Sequence, residues 1–348
     1  MTNRFVSVAA CALLASAAVL PTRAQAPIGY DLTLVDMDGT QKVLGRLPSS
    51  VYAPRVSPDG KQIAFETRDP QGPDGGRLWV SDFVNIANRR PLPSTGAPLN
   101  WAPMWTPDGQ RLAFLASGDR PDAVFWRRAD GTGDAEHLID ARTAEGWNDG
   151  GATLRFLTLT GAGNVDYGIA FMDVKTRKVT PVIDLPGTAQ HSSAVSPDGK
   201  WMAYASFETG RFEIYVQPFP PTGLKVRVTQ QGGVYPVWSP DGKWMAYASN
   251  ETGRYEVWLM PLPPTPTAMR YRITNDGGSH PLWLPGGKSL SFDRGRQLFR
   301  VELNLDGPAA AGSPVALPIK GFAQAEYRRQ YDLLPNGKQY LMLFPVMP

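Results

Sequence analysis

The sequence predicts an all-β chain assembled from one repeated four-stranded unit, and three observations predict it. SPDGKWMAYAS stands unchanged at Ser196–Ser206 and again at Ser239–Ser249, about 43 residues on, a spacing that marks repeat architectures. Aligning on Pro240 exposes further copies headed by Pro58, Pro107, Asp149, Pro197, Pro285 and Pro335. Two positions after each head comes glycine without exception: Gly60, Gly109, Gly151, Gly199, Gly242, Gly287 and Gly337. Glycine (35) and proline (33) are also spread along the whole chain, as many tight turns require.

Each copy reads as a β-hairpin. Five and seven positions after the head lie apolar pairs such as Ile63 and Phe65, Met202 and Tyr204, or Leu290 and Phe292, the period of a strand with one buried face. Two positions before it stand Val56, Trp105, Trp147, Val195, Trp238, Trp283 and Leu333, which supply the partner strand. Proline sets φ for the first corner, aspartate bonds nearby amides, and glycine accepts the positive φ that ends the loop. Asp59, Asp108, Asp198 and Asp241 are therefore turn residues and not catalytic carboxylates.

Between hairpins runs a second alternating pair, as in FEIYVQPF followed by KVRVTQ and YEVWLMPL followed by RYRIT. Four strands per unit at a mean period of about 46 is the pattern of a β-propeller blade. Before the first hairpin, Tyr30 to Leu47 reads as two outer strands without inner ones. After the last outer pair, Tyr331 to Phe344 reads as two inner strands without outer ones. The halves are expected to share one sheet and close a seven-bladed β-propeller without an open edge. The third copy, GWNDGGATLRFLT, lacks proline, so six blades with one irregular unit is the rival count.

The N-terminus differs from the repeats. Arg4 precedes the apolar run Phe5 to Leu20, and PTRAQA follows, which reads as a cleaved secretory signal over 1–24 ahead of a single propeller domain over 25–348. Cleavage after Ala26 would place Pro27 at the scissile bond, so cleavage after Ala24 is preferred. Cys11 is the lone cysteine; the apolar run continues past it, so it reads as part of the signal and not as a lipid attachment site. The mature chain then has neither thiol nor transmembrane segment, and a periplasmic or secreted location follows. With Arg4 and Arg23 removed, the charge of +3 falls close to neutral. No basic run remains to suggest nucleic acid, and hydrophobic residues at 42% against 19% charged are ample for a packed core.

The repeated PxWSPDGKxxAY, followed by ETGRxE(I/V)(Y/W), resembles the WD-like propeller repeat of the TolB family. It is also similar to the propeller segments that bacteria attach to kinases and regulators outside the membrane, and to the propeller of prolyl oligopeptidases. The resemblance covers the whole mature chain and implies fold more than function. No glycine-rich nucleotide loop, HRD, DFG or GxSxG is present, so neither a kinase nor a serine-hydrolase domain accompanies the repeats.

In a propeller the loops entering the innermost strands gather round one mouth of the channel. Register places there Tyr52, Asn100, Trp101, Glu145, His191, Tyr235, His280, Arg328 and Arg329. Aromatics, imidazoles, a carboxylate and guanidiniums at one rim suit a peptide or a carboxylated ligand. His191 and His280 are weak metal candidates, with Gln190 or Glu145 to complete a site, while His137 falls in an outer strand. Two histidines are few for a transition metal, so no cofactor is expected. PPTG and PPTPT read as stiff connections, and the ETGR copies as turns with an ion pair. The leading expectation is an exported, monomeric, non-enzymatic propeller that binds a protein or peptide at its rim. One alternative is a metal-assisted lyase or hydrolase of a polyanionic saccharide, since metal-dependent oligogalacturonate lyases share the resemblance. The other is a stand-alone relic of a kinase-sensor or peptidase propeller.

Overall fold

The computed structural model describes residues 26–48, 50–68, 76–118, 121–159, 166–265, 269–306, 310–324 and 329–348. The expected signal segment, Cys11 and Arg328 lie outside the described residues. The rest is an all-β arrangement of antiparallel four-stranded units.

Val51–Val56, Gln62–Arg68, Gly76–Asp82 and Arg90–Pro91 form the first unit. Leu99–Trp105, Arg111–Ser117, Ala123–Arg128 and Glu136–Asp140 form the second, and one parallel pair, Gly76 with Leu99, joins the two into an eight-stranded sheet. The third unit holds Thr143–Asn148, Thr153–Leu157, Ile169–Asp173 and Val179–Ile183. The fourth holds Gln190–Val195, Trp201–Ser206, Glu213–Pro218 and Val226–Arg227, and the fifth Val234–Trp238, Trp244–Ser249, Glu256–Pro261 and Tyr271–Arg272. In the sixth, Ser279–Trp283, Ser289–Arg294 and Gln297–Asn304 carry both Ala310–Ala311 and Val315–Lys320 on the last strand. The end sheet takes Gly29–Asp36 and Gln41–Pro48 from the start of the chain and Tyr331–Leu333 and Gln339–Val346 from its finish. Gly29 to Asp36 pair in unbroken register with Val346 to Gln339.

The turns follow from their residues. In the first copy, Gly60 N donates to Ser57 O at 2.8 Å and Gly60 takes φ +71, a conformation that costs glycine little. Ser57 Oγ donates to Asp59 Oδ1 at 2.6 Å, and Lys61 N donates to the same oxygen at 3.0 Å. The same hydroxyl-to-carboxylate bond recurs at Thr106 and Asp108, Ser196 and Asp198, and Ser239 and Asp241. These bonds hold Asp59, Asp108 and Asp198 below the usual carboxylate range, the hydroxyl contributing most. In the third copy Asp149 sits at φ +50, which the proline ring forbids; that is why this copy has no proline.

Apolar side chains from both faces of the units pack between neighbours. Among the described residues each apolar cluster is shared by two units that follow one another in the chain. Two further clusters involve the end sheet. Leu32, Leu47, Leu341 and Leu343 pack with Val56 and Phe65 of the first unit, and Val35, Tyr340 and Met342 pack with Leu298 and Ile319 of the sixth.

The size of one residue is matched to the next unit. Six positions after the head stand Ala64, Ala113, Ala203 and Ala246, and each shares a cluster with the tryptophan of the following unit: Trp105, Trp147, Trp238 and Trp283. Three of those indoles donate back to the preceding innermost strand: Trp105 to Arg55 O (3.1 Å), Trp238 to Ala194 O (3.0 Å) and Trp283 to Val237 O (3.2 Å). The irregular third copy breaks the pattern, for Trp147 Nε1 is buried without a partner.

Candidate functional site

Among the described residues, five innermost strands enter through a bulge beside a left-handed residue. Ala53, Ala102, Ser192, Tyr235 and His280 hold φ between +50 and +58, and the pairing register shifts beside each. Left-handed backbone at a non-glycine residue costs on the order of 1–2 kcal/mol, so something must hold it. At three entries a polar side chain from a neighbouring segment does so. Gln330 Oε1 accepts from Ala53 N at 3.0 Å, Glu66 from Ala102 N, and Glu145 Oε2 from Ser193 N at 3.1 Å.

Glu145 is thereby a brace between the third and fourth units, and the Ser193 hydroxyl donates to the same oxygen. Burial pushes its carboxyl up, while Arg155 and the Ser193 bonds pull the other way. Arg155 is itself buried, which lowers its pKa against the pull of Glu145. Its Nη1 donates to Asn148 Oδ1 at 2.8 Å. It occupies the position that four other copies fill with alanine, and the following unit answers with Val195 in place of tryptophan.

Between the first and second units, Arg68 lies 5.2 Å from the Tyr52 ring centre and 4.9 Å from that of Trp101. Glu66, 1% exposed, accepts from Arg68 Nε (2.9 Å) and Nη2 (2.7 Å). Trp101 Nε1 donates to Ser117 Oγ at 2.9 Å, and Tyr52 is 37% exposed. Cation–π contacts with both rings, together with the Glu66 bonds, hold the guanidinium and leave an amphipathic surface at this entry.

A second group joins the fifth and sixth units to the end sheet. His280 Nδ1 bonds Asp293 Oδ1 at 2.9 Å, Tyr331 OH donates to the same oxygen at 3.1 Å, and Gln324 Nε2 donates to Oδ2 at 3.1 Å. The Tyr235 ring packs on His280 with centres 4.6 Å apart. His280 Nε2 and Arg329 Nη1 are both buried without a partner.

The structure therefore distributes the residues chosen by register. Tyr52 and Trp101 meet across Arg68, and Tyr235 meets His280. Asn100 lies elsewhere: it is 3% exposed and bonded to Ser94, Thr95 and Ala97. His191 turns to Ser192 Oγ (2.7 Å) and the Phe212 ring (4.2 Å between centres), and burial pulls its pKa down to about 4. His137 bonds Asp140 at the outer edge of the second unit. Among the described residues no three His, Cys, Asp or Glu side chains come together. The ETGR turns use other cations than their own arginines, for Glu208 pairs with Lys225 (2.7 Å) and Glu251 with Arg270 (2.9 Å).

Arg68, Asp293, Tyr331 and Arg155 were not among the expected site residues, because the register argument sampled only the residues before each hairpin. A signal existed. Eight positions after the head the copies read Glu66, Leu115, Leu157, Ala205, Ala248, Asp293 and Leu343, and two carboxylates in an apolar column mark the two polar groups described here.

Residues 151–310 match the TolB beta propeller domain. Over 91 residues the chain is 32% identical to the Tol-Pal system protein TolB of Alcanivorax borkumensis, covering 26% of this chain and 20% of that protein, so the match spans about a fifth of that relative. A TolB structure from Agrobacterium tumefaciens aligns over 91% of this chain and 99% of its own, with a TM-score of 0.50 and 17% identity. An oligogalacturonate lyase in complex with manganese aligns over 94% of this chain and 99% of its own, with a TM-score of 0.62 and 14% identity. The structural likenesses are likenesses of fold.

Proposed function

We propose that the chain, whose residues 151–310 match the TolB beta propeller domain, is an exported TolB-like ring of seven blades that binds a protein or peptide partner at one mouth of its channel. The seven hairpin copies, the apolar packing at each junction and the pairing of both chain ends in one sheet support the ring. The N-terminal apolar segment supports export.

The observation that carries the binding reading is the Tyr52, Arg68 and Trp101 stack at the entry of the first two innermost strands. Tyrosine, tryptophan and arginine are the residues that concentrate binding energy at protein interfaces, and a stacked guanidinium is already ordered before a partner arrives. Capture of a partner from an exported fraction by the mature chain tests it, compared with a variant carrying Trp101→Ala, Tyr235→Ala and Arg329→Ala. Capture is expected to fall at least tenfold while thermal stability changes little. Equal capture by the variant would exclude this mouth as the surface used.

A second reading, metal-assisted lysis or hydrolysis of a polyanionic saccharide, draws on the unpartnered Nε2 of His280 and on the fold shared with a manganese-bound lyase. Elemental analysis of the purified chain separates the two. A stoichiometric divalent metal that is lost in His280→Ala supports the enzyme, and its absence from the wild type removes that reading.

A further inference from the structure

We infer that His280 and Arg329 form a carboxylate-binding pair where the sixth unit meets the end sheet, and that the proposed partner presents an acidic side chain or a free C terminus there. This rests on the partner-binding reading and specifies its chemistry.

The argument begins with Asp293. It is 3% exposed and receives His280 Nδ1, Tyr331 OH and Gln324 Nε2, so its two oxygens are occupied and the Nδ1 proton of His280 is committed to it. Tyr235 covers one face of the imidazole. Both ring residues stand at left-handed backbone positions, Tyr235 at φ +58 and His280 at φ +50, and the Asp293 bond and the Tyr235 ring hold the imidazole. What remains is Nε2, buried and without a partner. A polar atom left in that state in a native fold needs a reason, and the one proposed is a bound ligand.

Arg329 provides the second half. Its guanidinium lies 5.8 Å from the ring centre of Tyr331, whose hydroxyl reaches Asp293. Its Nη1 is again buried without a partner. Arg329, Tyr331, Asp293 and His280 thus form one continuous set. A guanidinium only donates, and a carboxylate at Nε2 would make His280 a donor from both ring nitrogens. Two such donors within one set ask for anionic oxygen. With a carboxylate bound, an imidazolium, the Arg329 guanidinium, the Asp293 carboxylate and the ligand would sum to zero charge. Arg55 and Asp332 nearby are of opposite sign and add no net charge; Arg55 Nη1 donates to Pro54 O and Asp332 accepts from Val56 N. Planar, bidentate recognition of a carboxylate is also what arginine does best.

The test titrates the mature chain with three acetylated tripeptides: Ala-Ala-Glu amide, with a side-chain carboxylate only; Ala-Ala-Gln with a free C terminus; and Ala-Ala-Gln amide, with neither. Affinity is read by calorimetry, and the His280 imidazole by nitrogen-detected NMR. At least one carboxylate peptide is expected to bind saturably and shift the His280 Nε2 resonance, and which one does so identifies the source of the carboxylate. The neutral amide is expected to bind at least tenfold more weakly. Arg329→Gln should lose that difference and Arg329→Lys recover part of it. His280→Gln, checked for an unchanged melting temperature, should lose the carboxylate preference too. Equal binding of all three peptides, or a preference untouched by Arg329→Gln, would overturn the inference. Partner capture that survives Arg329→Gln but not Trp101→Ala would remove the carboxylate pair and leave the partner-binding reading in place.

Discussion

Pro285, at the first corner of the sixth hairpin turn, lies so close against Gly337 of the end sheet that a Cβ on Gly337 would overlap its ring. The same seat recurs from turn to turn. A Cβ on Gly109 would sit 3.7 Å from Pro58, on Gly151 3.1 Å from Pro107, on Gly242 3.6 Å from Pro197, on Gly287 3.3 Å from Pro240, and on Gly60 3.6 Å from Pro335. Proline and glycine therefore recur for two reasons at once, the local turn and the stacking of each turn on the next. At Gly199 the preceding head is Asp149, and nothing lies within 4 Å.

That exception makes a controlled comparison. Gly199 and Gly337 have φ +71 and +66, so alanine at either meets the same backbone strain, about 1 kcal/mol. Gly337→Ala must also displace Pro285. Urea unfolding is expected to show Gly199→Ala weakened by about 1 kcal/mol and Gly337→Ala by about 3 kcal/mol or more. Equal losses would mean that the turns do not stack.

His191 predicts a pH dependence. Burial lowers its pKa from 6.5 to about 4 in the folded chain, so the unfolded chain binds the proton first as pH falls. The stability that the neutral ring contributes is present above pH 6.5 and is lost as pH falls toward 4, by about 3 kcal/mol at most. His191→Phe should remove that part of the acid slope in unfolding measurements between pH 7 and 4. An identical slope in the variant would show that the ring is solvated.

The alanine and tryptophan matching predicts an overpacking cost. Ala203→Leu places bulk where Trp238 of the next unit packs, and a loss of about 1–3 kcal/mol is expected. Combining it with Trp238→Val, the arrangement found at Arg155 and Val195, should recover part of the loss. A double-mutant cycle with no coupling would contradict the size matching.

Export predicts a mature N-terminus. Mass spectrometry of protein from the exported fraction is expected to find the chain beginning at Gln25. A chain that retains Arg4 would contradict the signal reading.

How much the sequence revealed follows from where repetition speaks. Every hairpin could be placed because the turn requires the same residues each time, and the pairing of Tyr30 to Leu47 with Tyr331 to Phe344 followed from a half-unit at each end. The site was less legible, because function resides in the departures from a repeat. Asn100 and Tyr52 both precede a hairpin, yet Asn100 stands seven residues before its head and Tyr52 six, so Tyr52 and Trp101 share the entry while Asn100, at the position of buried Val51, bonds the loop at Ser94 to Ala97. One position of register separates the two faces of a strand. Asp293 and Glu66 escaped for a different reason: they lie on second strands, which the search for a mouth passed over.

The account depends most on the sheet shared by the two chain ends, since the ring and its mouth both need it. Asp31 and Phe344 face one another across that sheet, and Cβ atoms of opposed residues lie near disulfide range. With Cys11 replaced by Ser, Asp31→Cys combined with Phe344→Cys should oxidise to an intramolecular disulfide, seen as faster migration on a non-reducing gel that reductant reverses. Free thiols after oxidation, or covalent dimers alone, would contradict the closed ring.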